Sequence, residues 1–325
     1  MSTKEYIKIK SYRGYANEQE IIIEGHVFRK KSPDDFLLNN RTIRHAINVI
    51  RLFTIKTIEN ASVRLHVSGK EFSTKTLKDG YFRFSIPFLE TLSPGWHPFT
   101  LIADHDNRHA QTEGEFVKPH PGEYGLISDI DDTFLVSYSG NPFKKIYVIL
   151  TRNISKRTVF DDVVEHYRLL SRAGRTTKDG QNTFFYVSSS EWNLFNLIHE
   201  FTTLHKFPKA VIKLKKIKQG LGDFLFTGAG SHDHKFQKIK HLLEFYPELK
   251  FILLGDDSQR DPFIYRDIVK TFPENVVAIY IRQTTLGKKP EVEVCLQDVE
   301  SMNTEYCYFD SSSKAIAHSR EIGLI

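Results

Sequence analysis

Tyr124-Gly-Leu-Ile-Ser-Asp-Ile-Asp-Asp-Thr133 decides how this chain is read. A short apolar run, Leu126-Ile127, ends in three carboxylates within four residues: Asp129, Asp131 and Asp132. This is the pattern of a buried strand that stops where acids begin. In an open α/β sheet, ligands sit just past the carboxyl ends of the strands. Clustered acids at that position are costly unless a cation or a proton neutralises them. Such a cluster needs partners from elsewhere in the chain.

Downstream, short apolar runs alternate with helical patterns. The runs are Thr183–Val187, Ala210–Leu214, Phe251–Leu254 and Val276–Ile281. They are continuously apolar, as strands buried on both faces should be. Between them, apolar residues recur at helical spacing: Val163, Tyr167, Leu170; Leu194, Ile198, Phe201; Phe236, Ile239, Leu242, Leu243; Ile264, Ile268, Phe272. A helix lies within Phe160–Arg172, and a last one around Ser313–Glu321 stops at Gly323. The alternation predicts a doubly wound α/β domain with a parallel sheet over residues 122–325.

Upstream the period is two. Residues 7–12, 21–28, 63–67, 81–86, 98–103 and 112–117 alternate apolar and polar. Turn signals separate them at Ser68-Gly69, Asp79-Gly80, Ser93-Pro-Gly95 and Asp106-Asn107. The pattern predicts an antiparallel β-sandwich over residues 1–119, of immunoglobulin or transthyretin type. One helix interrupts it, with Ile43, Ile47, Ile50 and Phe53 on one face. The scattered His26, His45, His66, His97 and His105 share no ligand spacing and read as core or surface histidines. Lys118-Pro-His-Pro-Gly122 marks the boundary, because two prolines and a glycine cannot continue a central strand.

The bulk properties set limits. The chain has 325 residues, 40% hydrophobic and 26% charged, which suits about two globular domains. A net charge of +5 is mildly basic and does not by itself indicate nucleic acid. No apolar run approaches the ~18 residues of a membrane-spanning helix. The polar start lacks the apolar core of a signal peptide. Two cysteines, Cys295 and Cys307, make no disulfide framework, and a cytoplasmic setting is expected, with peripheral membrane contact left open.

Three further stretches can complete the site. Phe184–Val187 runs into Ser188-Ser-Ser190, whose hydroxyls and backbone N–H groups can hold an oxyanion. Lys235 falls at a helix start, within Ser231-His-Asp-His-Lys-Phe-Gln-Lys-Ile239, and can place a cation among the acids. Phe251-Ile-Leu-Leu ends in Gly255-Asp256-Asp257, with Asp261 following. Each has an ordinary explanation alone: serine runs cap helices, Lys235 suits a solvated helix face, and His232 and His234 read as polar helix-entry residues. Two strands of one parallel sheet that both end in acids are harder to dismiss. Carboxylates gathered at one sheet edge call for a hard cation, and oxygen ligands favour Mg2+.

Asp129-Ile-Asp-Asp-Thr133 resembles the D-x-D-x-T motif of the haloacid-dehalogenase-like phosphatases. Ser188, Lys235 and Asp256 follow in that superfamily's order. Ser128-Asp-Ile-Asp-Asp-Thr133, Phe185-Tyr-Val-Ser-Ser-Ser-Glu-Trp192, His234-Lys235, Phe251-Ile-Leu-Leu-Gly-Asp256 with Asp261-Pro262 and Tyr265, and Ile279-Tyr-Ile-Arg282 look like the actin-patch-protein type of phosphatidate phosphatase and its bacterial relatives. The resemblance covers about residues 122–325. The chain departs from the family at Asp257 and Ser189, where serine and asparagine are usual, which leaves Asp257 and Asp261 as alternatives for the second acid at the metal.

The resemblance implies a phosphoric monoester hydrolase with Asp129 as nucleophile and Asp131 as acid and base. It implies Mg2+ held by Asp129, the Asp131 carbonyl, Asp256 and Asp261. Ser188 and Lys235 would hold the phosphoryl oxygens, with Ser189 and Arg282 as further substrate contacts and Asp132 and Thr133 as support. The substrate it implies is phosphatidate or a related lipid phosphate, dephosphorylated to diacylglycerol. The roughly 55 residues between Asp131 and Ser188 leave room only for a small cap. The basic positions Lys206, Lys209, Lys213, Lys215, Lys216 and Lys218 suit contact with anionic lipid. Two other readings are compatible with the residues: a phosphatase of soluble phosphomonoesters or phosphoproteins, and a membrane- or protein-binding β-module on an α/β scaffold.

Overall fold

The computed structural model describes residues 6–30, 55–88, 91–122, 124–130, 162–175, 180–215, 231–284 and 287–325. The helix expected at Ile43–Phe53, the small cap, Asp131–Thr133 and Lys216–Lys218 lie outside them. The described chain forms two compact units, one ending at Pro119 and one beginning at His120.

The first unit is a sheet of nine strands among the described residues: β1 (Tyr6–Ser11), β2 (Gly14–Ala16), β3 (Glu20–Lys30), β4 (Lys56–Thr57), β5 (Ser62–Val67), β6 (Lys70–Lys75), β7 (Tyr81–Pro87), β8 (Gly95–His105) and β9 (Arg108–Lys118). Alternation does what the sequence predicts. In β5, Val63, Leu65 and Val67 are buried; in β7, Phe82, Phe84 and Ile86 are. They pack with Ile7, Ile21, Phe99 and Phe116 into one apolar core. Ser68-Gly69 and Asp106-Asn107 all adopt left-handed φ, as two-residue type I′ hairpins require. The expectation of an antiparallel sandwich is met only in part: the described strands hydrogen-bond into one sheet, and β2 runs parallel to β9, with Tyr15 opposite Val117, so that sheet is mixed. β2 and β6 were not legible in the sequence: β2 is three residues long, and β6 is a polar edge strand of sequence KEFSTK.

The second unit is built on a six-stranded parallel sheet: β10 (Tyr124–Ser128), β11 (Thr183–Glu191), β12 (Ala210–Lys215), β13 (Lys250–Asp256), β14 (Val276–Arg282) and β15 (Glu305–Phe309). Its helices are α1 (Val163–Leu170), α2 (Phe195–Leu204), α3 (Ser231–Phe245), α4 (Asp261–Thr271), α5 (Pro290–Glu300) and α6 (Ser312–Glu321). The strand order is β12-β11-β10-β13-β14-β15. The chain therefore builds outward from β10 to one side, returns, and builds outward on the other. The crevice where the order reverses lies between β10 and β13, the usual ligand position of an open α/β sheet. Both strands are buried along their length, with Leu126, Ile127 and Phe251 through Leu253 at 0% exposure. Gly125 lets them pair closely, since a β-carbon there would stand 2.4 Å from the Phe251 ring. α5 and β15 were absent from the sequence reading; β15 is short and follows a polar segment, which hides its alternation.

A buried polar network joins α1, β14 and α6. His166 Nε2 lies 2.9 Å from Ser319 Oγ, which lies 2.7 Å from Tyr280 Oη. Burial, with Arg282 and His318 nearby, pulls the His166 imidazole down to about 3, so it is neutral in the fold. An unfolded chain protonates it near its ordinary value, about 6.5. Between these two values the unfolded state binds one more proton, so stability falls as pH falls. The slope expected from this residue is about 1.4 kcal/mol per pH unit below about pH 6.5. Urea unfolding from pH 7 to 4.5 should show a shallower loss in His166→Asn than in the parent chain; equal pH slopes would contradict the assignment.

Candidate active site

Asp129 stands one residue past β10, and its N–H donates to the Leu254 carbonyl at 2.9 Å, extending the ladder with β13. Asp256 is the last residue of β13. The reversal of strand order therefore puts the two carboxylates side by side. Asp261 opens α4, where a carboxylate is favoured by the helix N-terminus and Pro262 suits the first turn. Gly255 permits its approach: a β-carbon there would lie 2.6 Å from Asp261 Oδ2. One ligand atom from each of Asp129, Asp256 and Asp261 falls within 4.8 Å of the others, and all three residues are buried.

Lys235 enters this cluster from the first turns of α3. Its Nζ lies 2.9 Å from Asp129 Oδ1 and also donates to Asp261 Oδ1. The ammonium is 3% exposed. Burial alone would lower its pKa, but the Asp129 and Asp261 carboxylates outweigh that and raise it. Lys235 is therefore charged at any physiological pH. Asp261 Oδ2 is buried and has no hydrogen-bond partner among the described residues, so it remains available to a ligand.

Asp257 is otherwise engaged. Its Oδ1 accepts from the Thr284 N–H at 2.9 Å and its Oδ2 from Tyr308 Oη at 2.7 Å, while Lys289 Nζ stands 3.6 Å from Oδ1. It ties the end of β13 to β14, β15 and the start of α5. Of the two acids left open by the sequence, Asp261 faces Asp129 and Asp256, and Asp257 does not belong to that cluster.

Ser188 is fully buried and Ser189 half-buried. The sequence placed them beyond the strand, but β11 continues to Glu191. Its register with β12 shifts between Val187 and Glu191, so the serines occupy an irregular stretch of strand. A short 3-10 turn, Trp192–Leu194, then leads into α2. Lys238, one turn beyond Lys235, donates to the Ser188 carbonyl at 2.9 Å. The sequence reading missed it, although its spacing from Lys235 puts both on one helix face. Arg282 ends β14 opposite Asp256 and is buried. Its guanidinium donates to Ser312 Oγ at 2.6 Å and lies 4.8 Å above the Phe309 ring. Burial pulls it down to about 10, with Tyr167 and Asp256 opposing, and it stays charged at neutral pH.

Two tyrosines hold the backbone under Asp129. Tyr167 Oη is 2.6 Å from Ser128 Oγ, which donates to the Asp129 carbonyl at 2.7 Å. Tyr265 Oη donates to the Leu254 carbonyl at 2.8 Å. Burial raises both phenols, so both remain donors. Sequence periodicity marked Tyr167 only as a core residue.

The site can bind a hard cation through carboxylate oxygens and an anion through Lys235. Removing one partner of a buried charge network leaves the others uncompensated, at about 3–5 kcal/mol. Lys235→Met should lose stability of that order in urea at pH 7 without added divalent cation. A loss under about 1 kcal/mol would mean that the carboxylates are solvated despite their burial.

Residues 124–283 match the family model described as the catalytic domain of phosphatidate phosphatase APP1. The chain is 30% identical over 190 residues to phosphatidate phosphatase APP1 of Saccharomyces cerevisiae, covering 56% of this chain and 30% of the yeast protein. It is 24% identical over 224 residues to an uncharacterized protein of Schizosaccharomyces pombe, covering 65% of this chain and 34% of that protein. The matches thus span about a third of these curated relatives. Among solved structures, a carbohydrate acetylesterase from Xanthomonas citri aligns over 95% of this chain and 72% of its own, at 9% identity and a TM-score of 0.34, too low to support an argument. The likeness to the actin-patch-protein type of catalytic domain thus rests on the sequence matches.

Proposed function

We propose that this chain, whose residues 124–283 match the phosphatidate phosphatase APP1 catalytic domain, hydrolyses phosphomonoesters and takes phosphatidate or a related lipid phosphate as substrate. The observation that carries the proposal is the buried set of Asp129, Asp256, Asp261 and Lys235 at the point where the strand order reverses. Three carboxylates against the Lys235 ammonium, with the Arg282 guanidinium near Asp256, leave the site net negative out of water. A dianionic phosphate cannot approach that charge without a counter-ion. An all-oxygen set with a partnerless Asp261 oxygen fits a hard divalent cation.

Asp129, Asp256 and Asp261 would hold Mg2+, which supplies charge neutralisation to the bound phosphate. Asp129 would attack phosphorus through a carboxylate oxygen, forming an aspartyl-phosphate as the ester P–O bond breaks. Asp131, placed by sequence two residues on, would protonate the departing alkoxide. It would then take a proton from the water that cleaves the acyl-phosphate, returning Asp129 and releasing inorganic phosphate. Lys235 would bind a phosphoryl oxygen while keeping Asp129 oriented, and the irregular Ser188–Ser189 stretch offers hydroxyl and N–H donors beside it. The strand order supports a doubly wound, haloacid-dehalogenase-like arrangement of this unit.

Phosphate release from phosphatidate in detergent mixed micelles tests the reading. Asp129→Asn should lower kcat by at least about a thousandfold, some 4 kcal/mol. EDTA should abolish turnover and Mg2+ restore it. Full activity in the Asp129 variant would refute the mechanism, and turnover confined to water-soluble esters would refute the lipid substrate.

A second comparison separates the neighbouring acids. Asp256→Asn should abolish Mg2+-dependent turnover, whereas Asp257→Asn should keep it within about tenfold and act mainly through lost stability. Equal losses of metal dependence in both would place Asp257 at the cation.

A further inference from the structure

The opposite edge of the same parallel sheet carries a second, basic pocket. It has a volume of about 600 Å3 and lies beside the amino ends of β11 and β12, lined in part by Arg168, Arg172, Lys206, Phe207 and Lys209. Asp129 and Asp256 stand at the carboxyl ends of their strands. The length of β11 from Thr183 to Ser188 alone separates the two edges by about 17 Å. A molecule in this pocket is therefore not the one whose phosphate reacts.

The charge of the pocket is one-sided. Four cationic side chains line it against one acidic side chain, Glu165, and the terminal residue Ile325, whose carboxylate still leaves cations in excess among the described residues. All four are solvent-exposed. Arg168, Arg172 and Lys206 form no ion pair with any described residue. Attraction to a helix carboxyl end accounts for Arg168, in the last turn of α1. It does not account for the rest. Arg172 lies beyond α1, and no basic residue lies in the last turn of α2.

Lys206 is the most informative. It follows α2 with φ +58°, a left-handed conformation that favours glycine. Its N–H donates to the Thr203 carbonyl at 3.1 Å and that of Phe207 to the Thr202 carbonyl at 2.9 Å, the bond pair that closes a helix over a left-handed residue. Glycine would occupy this position with less strain, yet the chain places a long cation there, aimed from a fixed turn at the pocket rim. Phe207 and Pro208, both buried, line the same pocket. Strained backbone at a concave, charged surface is characteristic of ligand sites.

The geometry points to a binding site for a compact polyphosphorylated molecule, such as an inositol polyphosphate, free or as a phosphoinositide headgroup. A half-open pocket lined by four cations suits clustered phosphomonoesters, each able to take its own arginine or lysine. An extended polyanion would need a stripe of charge, which a pocket of this size does not provide.

Titration calorimetry of the full chain with inositol hexakisphosphate, at physiological ionic strength, tests this. The Asp129→Asn background prevents hydrolysis of the probe. Micromolar binding is expected. R168Q/R172Q should weaken it by at least about tenfold. Lys206→Gly should weaken it severalfold while leaving the melting temperature unchanged or higher, which a damaged fold would not do. Sedimentation with phosphatidylcholine vesicles, with and without phosphatidylinositol bisphosphate, identifies the source. Pelleting that requires the phosphoinositide and is lost in R168Q/R172Q assigns the site to a headgroup; calorimetric binding without pelleting assigns it to a soluble molecule. No heat up to millimolar probe, or unaltered affinity in both sets of variants, would overturn the proposal. Because the readout is binding in a catalytically disabled chain, its failure is distinct from failure of the phosphatase reading.

Discussion

The contact of Lys235 with Asp129 and Asp261 is the constraint on which the α/β unit depends. It joins the end of β10, the start of α3 and the start of α4. An ammonium taken out of water loses several kcal/mol of hydration, and only close carboxylates offset that. Here two do, and burial strengthens their attraction while it raises the penalty. The arrangement is asymmetric: one cation serves two fully buried acids, and Asp256 adds a third. A structure selected only for stability would replace such a cluster with apolar side chains. Its retention in the crevice between β10 and β13 makes sense if the missing positive charge arrives with a ligand.

The surroundings are organised to hold that cluster still. Asp129 N–H is in the sheet ladder, its carbonyl is bound by Ser128 Oγ, and Ser128 is in turn fixed by Tyr167. Tyr265 holds the Leu254 carbonyl across the crevice. Both tyrosines are wholly enclosed and stay protonated, so they act as fixed donors and not as acids. Adjacent carboxylates at Asp256 and Asp257 would repel if both faced the site. They do not: the strand's alternation sends Asp257 to Thr284 and Tyr308, where it is neutralised by hydrogen bonds and Lys289.

Much of this was legible in the sequence because buried parallel strands leave an unmistakable trace. Continuous apolar runs ending in Asp129 and Asp256 mark both edges of the crevice. What escaped was governed by three-dimensional proximity alone. Tyr167 falls on a helical apolar stripe, where a phenol is indistinguishable from a core aromatic until its hydroxyl finds a partner, and Tyr265 was marked by the motif resemblance without its contact to the Leu254 carbonyl. Asp257 and Asp261 stood as alternatives for the second acid at the metal, and only the contacts of Asp257 with Thr284 and Tyr308 separate them. Lys238 escaped because its acceptor is a backbone carbonyl, which no side-chain pattern reveals. β6 escaped because this edge strand carries polar residues in place of a clean period of two, and β15 because it is short and follows a polar segment.

The polarity of a parallel sheet gives the unit two unlike ends. At the carboxyl edge the strands deliver acids, and helices begin there, so backbone N–H groups and helix dipoles favour negative charge. That edge can concentrate carboxylates and still receive a phosphate. At the amino edge helices end, exposed carbonyls favour cations, and Arg168, Arg172, Lys206 and Lys209 gather. Dipole complementarity explains one cation per helix end. It does not explain why a lysine takes the left-handed position after α2, where glycine would serve the fold better. The excess of charge over what the helices require is the physical distinction between a solvated end of the sheet and a surface shaped for an anion.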